Sequence, residues 1–210
     1  MNTTHFDNDT KSLFTELGER KYLNASECKR FVASLSVLKN LKEQTFCETI
    51  YWTGCRPSEA LKLDVLRVNV EDCFLVFRSL KKHGKKKGKH FRTVPIPPEL
   101  AERLNKIHSI LEIQLNKSAN QFRRLWRFGR QKGWRLIKTV MDKAGIFGVR
   151  ACARGLRHSF GVHTILSGIA ESKLQTWLGH EDPKTTAIYL TIGGAEDHEL
   201  IRRMWNYRAI

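Results

Sequence analysis

Apolar residues recur at helical spacing along most of the chain, and one short region breaks that rhythm. Phe31, Leu35 and Leu38 stand four and three apart, predicting a helix entered at 22–27 with Ser26 or Asn24 as its cap. A second helix is predicted over 43–53, carrying Phe46, Ile50 and Tyr51 toward the same core, with Cys47 as a small core residue. Gly54 breaks it, and Pro57 suits the first position of another helix just after Arg56. The runs 66–70, 74–78 and 91–96 are rich in Val, Leu, Phe and Ile and bounded by charged turns, which predicts three strands. Pro97, Pro98 and Glu99 then open a helix to about 115, with Leu100, Leu104, Ile107 and Leu111 spaced four, three and four. The stretch 121–144 reads as one or two helices, with Phe122, Leu125, Trp126, Leu136, Ile137, Val140 and Met141 as core.

Further along, 155–168 reads as a helix with Leu156, Phe160 and His163 on one face and Val162, Ile165 and Leu166 on another. Gly179 ends the next helix and places His180 on a turn. Asp182 and Pro183 read as an N-cap and a first helical position, starting a helix that carries Tyr189. A last amphipathic helix is predicted over 195–208, with Leu200, Ile201, Met204 and Trp205 on its apolar side. The pattern gives a mainly α fold with a small antiparallel β-sheet (α+β), preceded by a polar tail, 1–20, with the composition of a disordered segment.

Charge narrows the partner. In 210 residues, Lys and Arg total 37 against 21 acids, a formal charge of +16 and a pI near 9.9. A surplus that large favours a polyanion, with nucleic acid ahead of acidic membrane, although a ribosomal or histone-like protein would share it. The 41% hydrophobic and 10% aromatic content argues for a folded body, long enough to bury a sizeable core. Cys28, Cys47, Cys55, Cys73 and Cys152 are scattered, with no Cys-x-x-Cys pair, so neither a zinc knuckle nor a disulfide framework is indicated. Reduced thiols, no signal-peptide pattern and no apolar run of transmembrane length together give the expectation of a cytoplasmic protein with no membrane partner.

Six lysines (Lys81, Lys82, Lys85, Lys86, Lys87 and Lys89) and two glycines lie between the second and third strands, predicting a positively charged hairpin tip that contacts DNA. Arg123, Arg124, Arg127, Arg130, Lys132 and Arg135 interleave with aromatics, a pattern that suits phosphate docking and ordinary solubility equally. Arg154 and Arg157 stand three apart and share a helix flank. Guanidiniums are planar, permanently charged forks suited to the non-bridging oxygens of a phosphate, and a Tyr hydroxyl is a candidate covalent nucleophile. Arg154, Arg157, His180 and Tyr189, with no acidic cluster for Mg²⁺, therefore suggest metal-free phosphoryl chemistry on a tyrosine. The alternative is two surface arginines, a capping histidine and a half-buried tyrosine.

The ordered set Arg154-Gly155-Leu156-Arg157-His158-Ser159-Phe160, Leu178-Gly179-His180 and Thr186-Ala187-Ile188-Tyr189 resembles the tyrosine recombinase (phage integrase) family, and the resemblance runs from about 22 to 189. Arg154 departs from it, standing where the family usually has His. Thr53-Gly54-Cys55-Arg56-Pro57-Ser58-Glu59-Ala60-Leu61 resembles the family motif that supplies its first active-site arginine. The resemblance implies the recombinase catalytic-domain fold over 21–194, with 195–210 packing on a neighbouring subunit or on its own core. It also implies a short form lacking the N-terminal helical domain.

For the site, the resemblance implies Tyr189 as nucleophile, Arg56 and Arg157 as phosphate clamp, His180 as a further donor and Arg154 in place of the family His. Lys81 would be the general acid, with Lys82 its rival. Lys82, Lys85, Lys86, Lys87 and Arg92 would contact DNA. Glu59 would be a buried partner of the arginine or an exposed helix acid, and His158 and His163 would be structural. The activity implied is site-specific cutting and rejoining of double-stranded DNA through a 3′-phosphotyrosine, without cofactor or metal. Assembly as a dimer to tetramer on DNA, or a helper protein, is implied as well. The alternatives are type IB topoisomerase-like relaxation and a catalytically silent DNA-binding regulator.

Overall fold

The structure, a computed structural model, describes residues 12–79, 90–116 and 118–192, together with Ile201, Arg202 and Trp205. Helix α1 (Ala25–Ala33) is capped by Asn24 and not Ser26. Asn24 Oδ1 accepts the Glu27 N–H at 2.8 Å while Glu27 Oε2 accepts the Asn24 N–H at 2.9 Å, a reciprocal cap that satisfies two exposed donors. A 3₁₀ turn (Ser34–Val37) continues it, and Phe31, Leu35 and Leu38 are buried as the spacing predicts. Helix α2 (Leu41–Thr53) starts two residues before the predicted 43, because the Asn40 side chain caps the Lys42 N–H at 2.9 Å. It buries Phe46, Cys47 and Ile50, and Tyr51 stacks on Phe31. Gly54, at φ 59°, takes the left-handed conformation that ends α2, and α3 (Pro57–Ala60) opens on Pro57.

The antiparallel sheet has order β1-β2-β3, from β1 (Val68–Asn69), β2 (Phe74–Ser79) and β3 (His90–Pro95). Leu75 pairs with Val94 and Phe77 with Arg92. The first strand is shorter than expected because Val65–Arg67 forms a 3₁₀ turn, held by Arg67 Nε on Asp64 Oδ2 at 2.9 Å, and Leu66 is left exposed.

Two helices, α4 (Pro98–His108) and α5 (Ile110–Leu115), replace the single one predicted to 115. Ser109 between them is left-handed at φ 54°, while Asn105 Oδ1 accepts the Leu111 N–H at 3.0 Å and Arg123 donates to the His108 carbonyl. The break resets the register: Ile110 and Ile113 are buried and Leu111 is exposed. Helix α6 (Arg130–Lys143) starts nine residues later than the predicted 121. Upstream of it, the Val65 N–H bonds the Arg123 carbonyl and the Leu125 N–H the Leu63 carbonyl, both at 3.1 Å, so that backbone pairs with 63–65 instead of coiling. Phe122, expected in the core, is 74% exposed; Leu125 and Trp126 are buried, and the Trp126 indole donates to the Lys42 carbonyl at 2.7 Å.

Helices α7 (Ala153–Leu166), α8 (Glu171–Leu178) and α9 (Lys184–Ala187) complete the fold. Asp182 Oδ1 caps the Lys184 N–H at 2.9 Å, and Pro183 sits at the cap position and not in the first turn. Tyr189 lies on a 3₁₀ turn (Ile188–Leu190) just past α9. Helix α7 joins two apolar clusters. Leu156 belongs to the larger one, with Phe31, Phe46, Ile50, Leu75, Leu104 and Val140, and Val162 to a smaller one with Leu13, Tyr22, Leu174, Leu178 and Tyr189. Residues 12–20 are therefore not a loose tail. The Lys21 N–H bonds the Leu13 carbonyl at 2.8 Å, and the fully buried Leu13 side chain contributes about 2 kcal/mol.

Among the described residues, no helix is long and apolar enough to cross a membrane. The helix expected over 195–208 lies outside the described residues, except that Ile201, Arg202 and Trp205 are helical.

Candidate active site

The left-handed Gly54 turns the chain from α2 into α3 and sets Arg56 at the α3 N-cap, its side chain half exposed. The Arg56 N–H donates to Glu59 Oε2 at 2.8 Å and its Nη1 lies 3.4 Å from Glu59 Oε1. Glu59 is 4% exposed, which makes it the buried partner and not an exposed acid. Its main counter-charge is Arg92, whose Nη1 and Nη2 reach Oε1 and Oε2 at 3.0 and 2.8 Å. Arg92 Nε donates to the Trp177 carbonyl at 2.8 Å, and its guanidinium stacks over Phe77.

Arg92 thus corrects an expectation. At 6% exposure it offers no surface to a DNA backbone; it braces Glu59 and the end of α8 behind Arg56. The signal lay in strand alternation, since Arg92, Val94 and Ile96 share the inner face while Phe91 and Thr93 point out.

Arg157 is held between two helix ends. Its Nη1 donates to the Gly54 carbonyl at 2.7 Å and its Nη2 to the Leu178 carbonyl at 2.8 Å. One fork on two fixed carbonyls sets both its position and its plane. Burial first, then the charge of Arg56, brings its pKa down to about 10, so it stays charged at neutral pH.

His180 follows Gly179 on a turn, as expected, with Nδ1 2.9 Å from Thr186 Oγ1. Burial, with the charges of Arg157 and Arg56, lowers it to about 3, so the ring is neutral. Tyr189 is 1% exposed and its ring lies parallel to that of His180. Burial pushes the phenol up to about 12, against the opposing pull of Arg157 and Arg56. The space for that ring is made by Gly161, where an added Cβ would lie 2.5 Å from Tyr189 Cζ.

Arg56, Arg154, Arg157, His180 and Tyr189 line one cavity of about 750 Å³, facing Arg130, Gln131 and Trp134 of α6. Arg154 is exposed there, one turn ahead of Arg157. Lys81, Lys82, Lys85, Lys86 and Lys87 lie outside the described residues. His158, read from sequence as structural, also reaches the site: its Nδ1 is 3.2 Å from Tyr189 Oη. No spacing rule joins two residues 31 apart, so only the fold reveals that contact. Among the described residues, no group of three or more His, Cys, Asp or Glu is placed to hold a metal ion.

The Glu59 pair carries a pH signature. Burial pushes the Glu59 carboxyl up, but the hydrogen bonds and charge of Arg92, the Arg56 N–H and the Arg56 charge together hold it below the usual range. A depressed folded pKa gives stability that is present above the unfolded value and lost as pH falls through the folded one. Glu59→Gln is therefore expected to cost about 3 kcal/mol at neutral pH, leaving the Arg92 charge buried and uncompensated. In denaturant titrations the gap to the parent should close as pH falls below about 4. A gap that stays constant into acid would mean that the carboxylate charge is not what stabilises the site.

The phage integrase family model matches residues 21–193. The tyrosine recombinase XerD of Staphylococcus saprophyticus is 30% identical over 178 residues, 82% of this chain and 56% of that protein. The tyrosine recombinase XerA of Pyrococcus horikoshii is 31% identical over 188 residues, 87% of this chain and 61% of that protein. The XerH site-specific recombinase bound to difH substrate in a pre-cleavage complex shares the fold, with TM-score 0.68 and 20% identity over 91% of this chain and 59% of that one. The chain thus spans a little over half the length of the curated relatives it matches. On the family match over residues 21–193, most of its 210 residues, this chain belongs to the phage integrase family.

Proposed function

We propose that this chain is a site-specific DNA recombinase that cuts and rejoins strands through a 3′-phosphotyrosine on Tyr189. The observation that carries the reading is one cavity shared by a buried phenol and the two guanidiniums Arg56 and Arg157, with Arg157 fixed by two main-chain carbonyls. The relatives named as tyrosine recombinases, and the fold shared with a recombinase bound to its DNA substrate, support it. So does the charge of +16, which suits a DNA partner.

In this scheme Arg56 and Arg157 grip the non-bridging oxygens and stabilise the charge that develops as Tyr189 Oη attacks phosphorus. Thr186 Oγ1 lies 2.9 Å from His180 Nδ1; in this scheme the hydroxyl donates to Nδ1, so that the other ring nitrogen carries the proton and donates to a non-bridging oxygen. Lys81 protonates the departing 5′-oxygen, and a 5′-hydroxyl from the partner strand later displaces Tyr189. Each step exchanges one phosphate ester for another, so no nucleotide is consumed, and the proposed scheme calls on no metal. Assembly on DNA as a dimer to tetramer, with a helper protein, belongs to the same proposal.

The test uses duplexes recovered from a randomised pool by binding to the chain, then nicked beside the candidate cleavage points so that religation is lost. A covalent protein–DNA adduct with a new 5′-hydroxyl is expected, at a rate unaffected by a chelator. DNA retained without any adduct would instead make the chain a DNA-binding regulator. Arg154 cannot act as a base but can donate to the phosphate or phenolate. Arg154→Ala is therefore expected to slow adduct formation by about 10- to 100-fold, with Arg154→Lys between it and the parent. An Arg154→Ala protein as fast as the parent would make Arg154 a bystander.

A further inference from the structure

We infer that His158 is a catalytic residue: it takes the phenolic proton of Tyr189 as the strand is cut and returns it on rejoining. This rests on the DNA-cleavage reading above. Four structural observations and the chemistry of Arg154 converge on it. His158 Nδ1 lies 3.2 Å from Tyr189 Oη, and among the described residues it is the hydrogen-bond partner that oxygen has. The ring is buried at 9% exposure, so bulk water does not readily substitute for it. Gly161, three residues on along α7, leaves bare backbone for the Tyr189 ring to pack on; any side chain there would displace the phenol. His180 lies parallel to the Tyr189 ring at 6.5 Å, with its Nδ1 engaged by Thr186, so it is differently employed. Arg154, where the family usually has His, cannot accept a proton.

The charges around His158 suit the role. Burial acts on it most, and Arg154 and Arg157 on its own helix and Lys21 from the N-terminal segment face it and act in the same direction, with His180 close by. Together they keep the ring neutral, with a pKa near 4, so Nδ1 is an open acceptor at neutral pH. A phosphodiester seated between Arg56 and Arg157 adds negative charge, which raises the affinity of the ring for a proton and ties transfer to substrate binding. In the step itself, the Tyr189 Oη–H bond breaks and Nδ1–H forms while Oη–P forms and P–O5′ breaks. The proton on the departing 5′-oxygen comes from the general acid, and rejoining runs the sequence backwards.

The test compares parent and His158→Asn on the nicked duplex, following adduct formation in single turnover against pH. Asn keeps a polar atom near the Nδ1 position but takes no proton. The parent rate is expected to be flat between about pH 6 and 9, and the variant to be at least ~100-fold slower at neutral pH, rising up to tenfold per pH unit as hydroxide takes over. DNA retention should be unchanged. His158→Ala should recover part of the rate when imidazole is added.

A His158→Asn protein within about twofold of the parent, with the same flat profile, overturns the inference while the Tyr189 adduct of the parent leaves the function standing. A parent that forms no adduct overturns both. Independently of activity and of how the variant folds, the Nδ1 nitrogen resonance of His158 in the parent should move on Tyr189→Phe. An unmoved resonance excludes the contact and with it the inference.

Discussion

Tyr189→Phe is expected to abolish covalent attachment to DNA while leaving the fold and DNA retention close to those of the parent. The substitution removes one oxygen and nothing else. The ring keeps its place against Gly161 and within the cluster of Leu13, Val162, Leu174 and Leu178, because that packing is made by carbon atoms. The cost to stability is the single hydrogen bond with His158, about 1 kcal/mol, to be read as a small shift in a denaturation midpoint. The cost to cleavage is expected to be total, since the group proposed to form the bond to phosphorus is gone. Residual adduct in the Phe variant would place the nucleophile elsewhere. Loss of DNA retention alongside the adduct would mean that the hydroxyl serves the fold and not the chemistry.

Arg157→Lys is the second large effect. The guanidinium bridges the Gly54 and Leu178 carbonyls, so its position and plane are set by the ends of α2 and α8 together. An ammonium keeps the charge but has no planar fork, and it cannot hold both carbonyls and present donors to a phosphate at once. Cleavage is expected to fall by about 100- to 1,000-fold, the usual cost of one lost donor to a developing oxyanion. DNA affinity, spread over many basic residues, should fall less than about tenfold at fixed salt. Measuring both on the same preparation decides the matter. Equal and modest losses would make Arg157 an ordinary phosphate contact.

Most of the site is legible in the glycines, prolines and caps that punctuate the chain. Gly54 and Pro57 bracket Arg56, Gly179 precedes His180, and Asp182 caps the short helix before Tyr189, so local rules alone place each residue on a turn or helix end. What local rules miss is pairing between distant segments. The strand-like contact of 63–65 with 123–125 holds back the start of α6 and exposes Phe122; neither segment announces the other. Ser109 breaks a helix whose apolar spacing continues through it, because Asn105 and Arg123 cap the two sides of the break.

Arg92 is a third kind of case. Its charge suggests a surface contact, yet β3 alternation turns it inward, and the buried Glu59 supplies the counter-charge that makes such a position tolerable. His158 is a fourth. Its neighbours in sequence, Arg157 and Ser159, are engaged with main-chain groups of Gly54, Leu178, Gly155 and Leu23, while His158 itself turns to Tyr189. Three consecutive side chains of one helix thus face three different tasks, and a periodicity argument averages over them.

In the proposed reaction Tyr189 becomes joined to a DNA 3′-end. That linkage is tested most directly by digesting the trapped adduct with protease and nuclease and sequencing the modified peptide by mass spectrometry. The expected product is a peptide containing Tyr189 that carries a nucleotide through its 3′-phosphate, with the released strand ending in a 5′-hydroxyl that a kinase labels without prior phosphatase treatment. A linkage to any other residue, or through a 5′-phosphate, would contradict it.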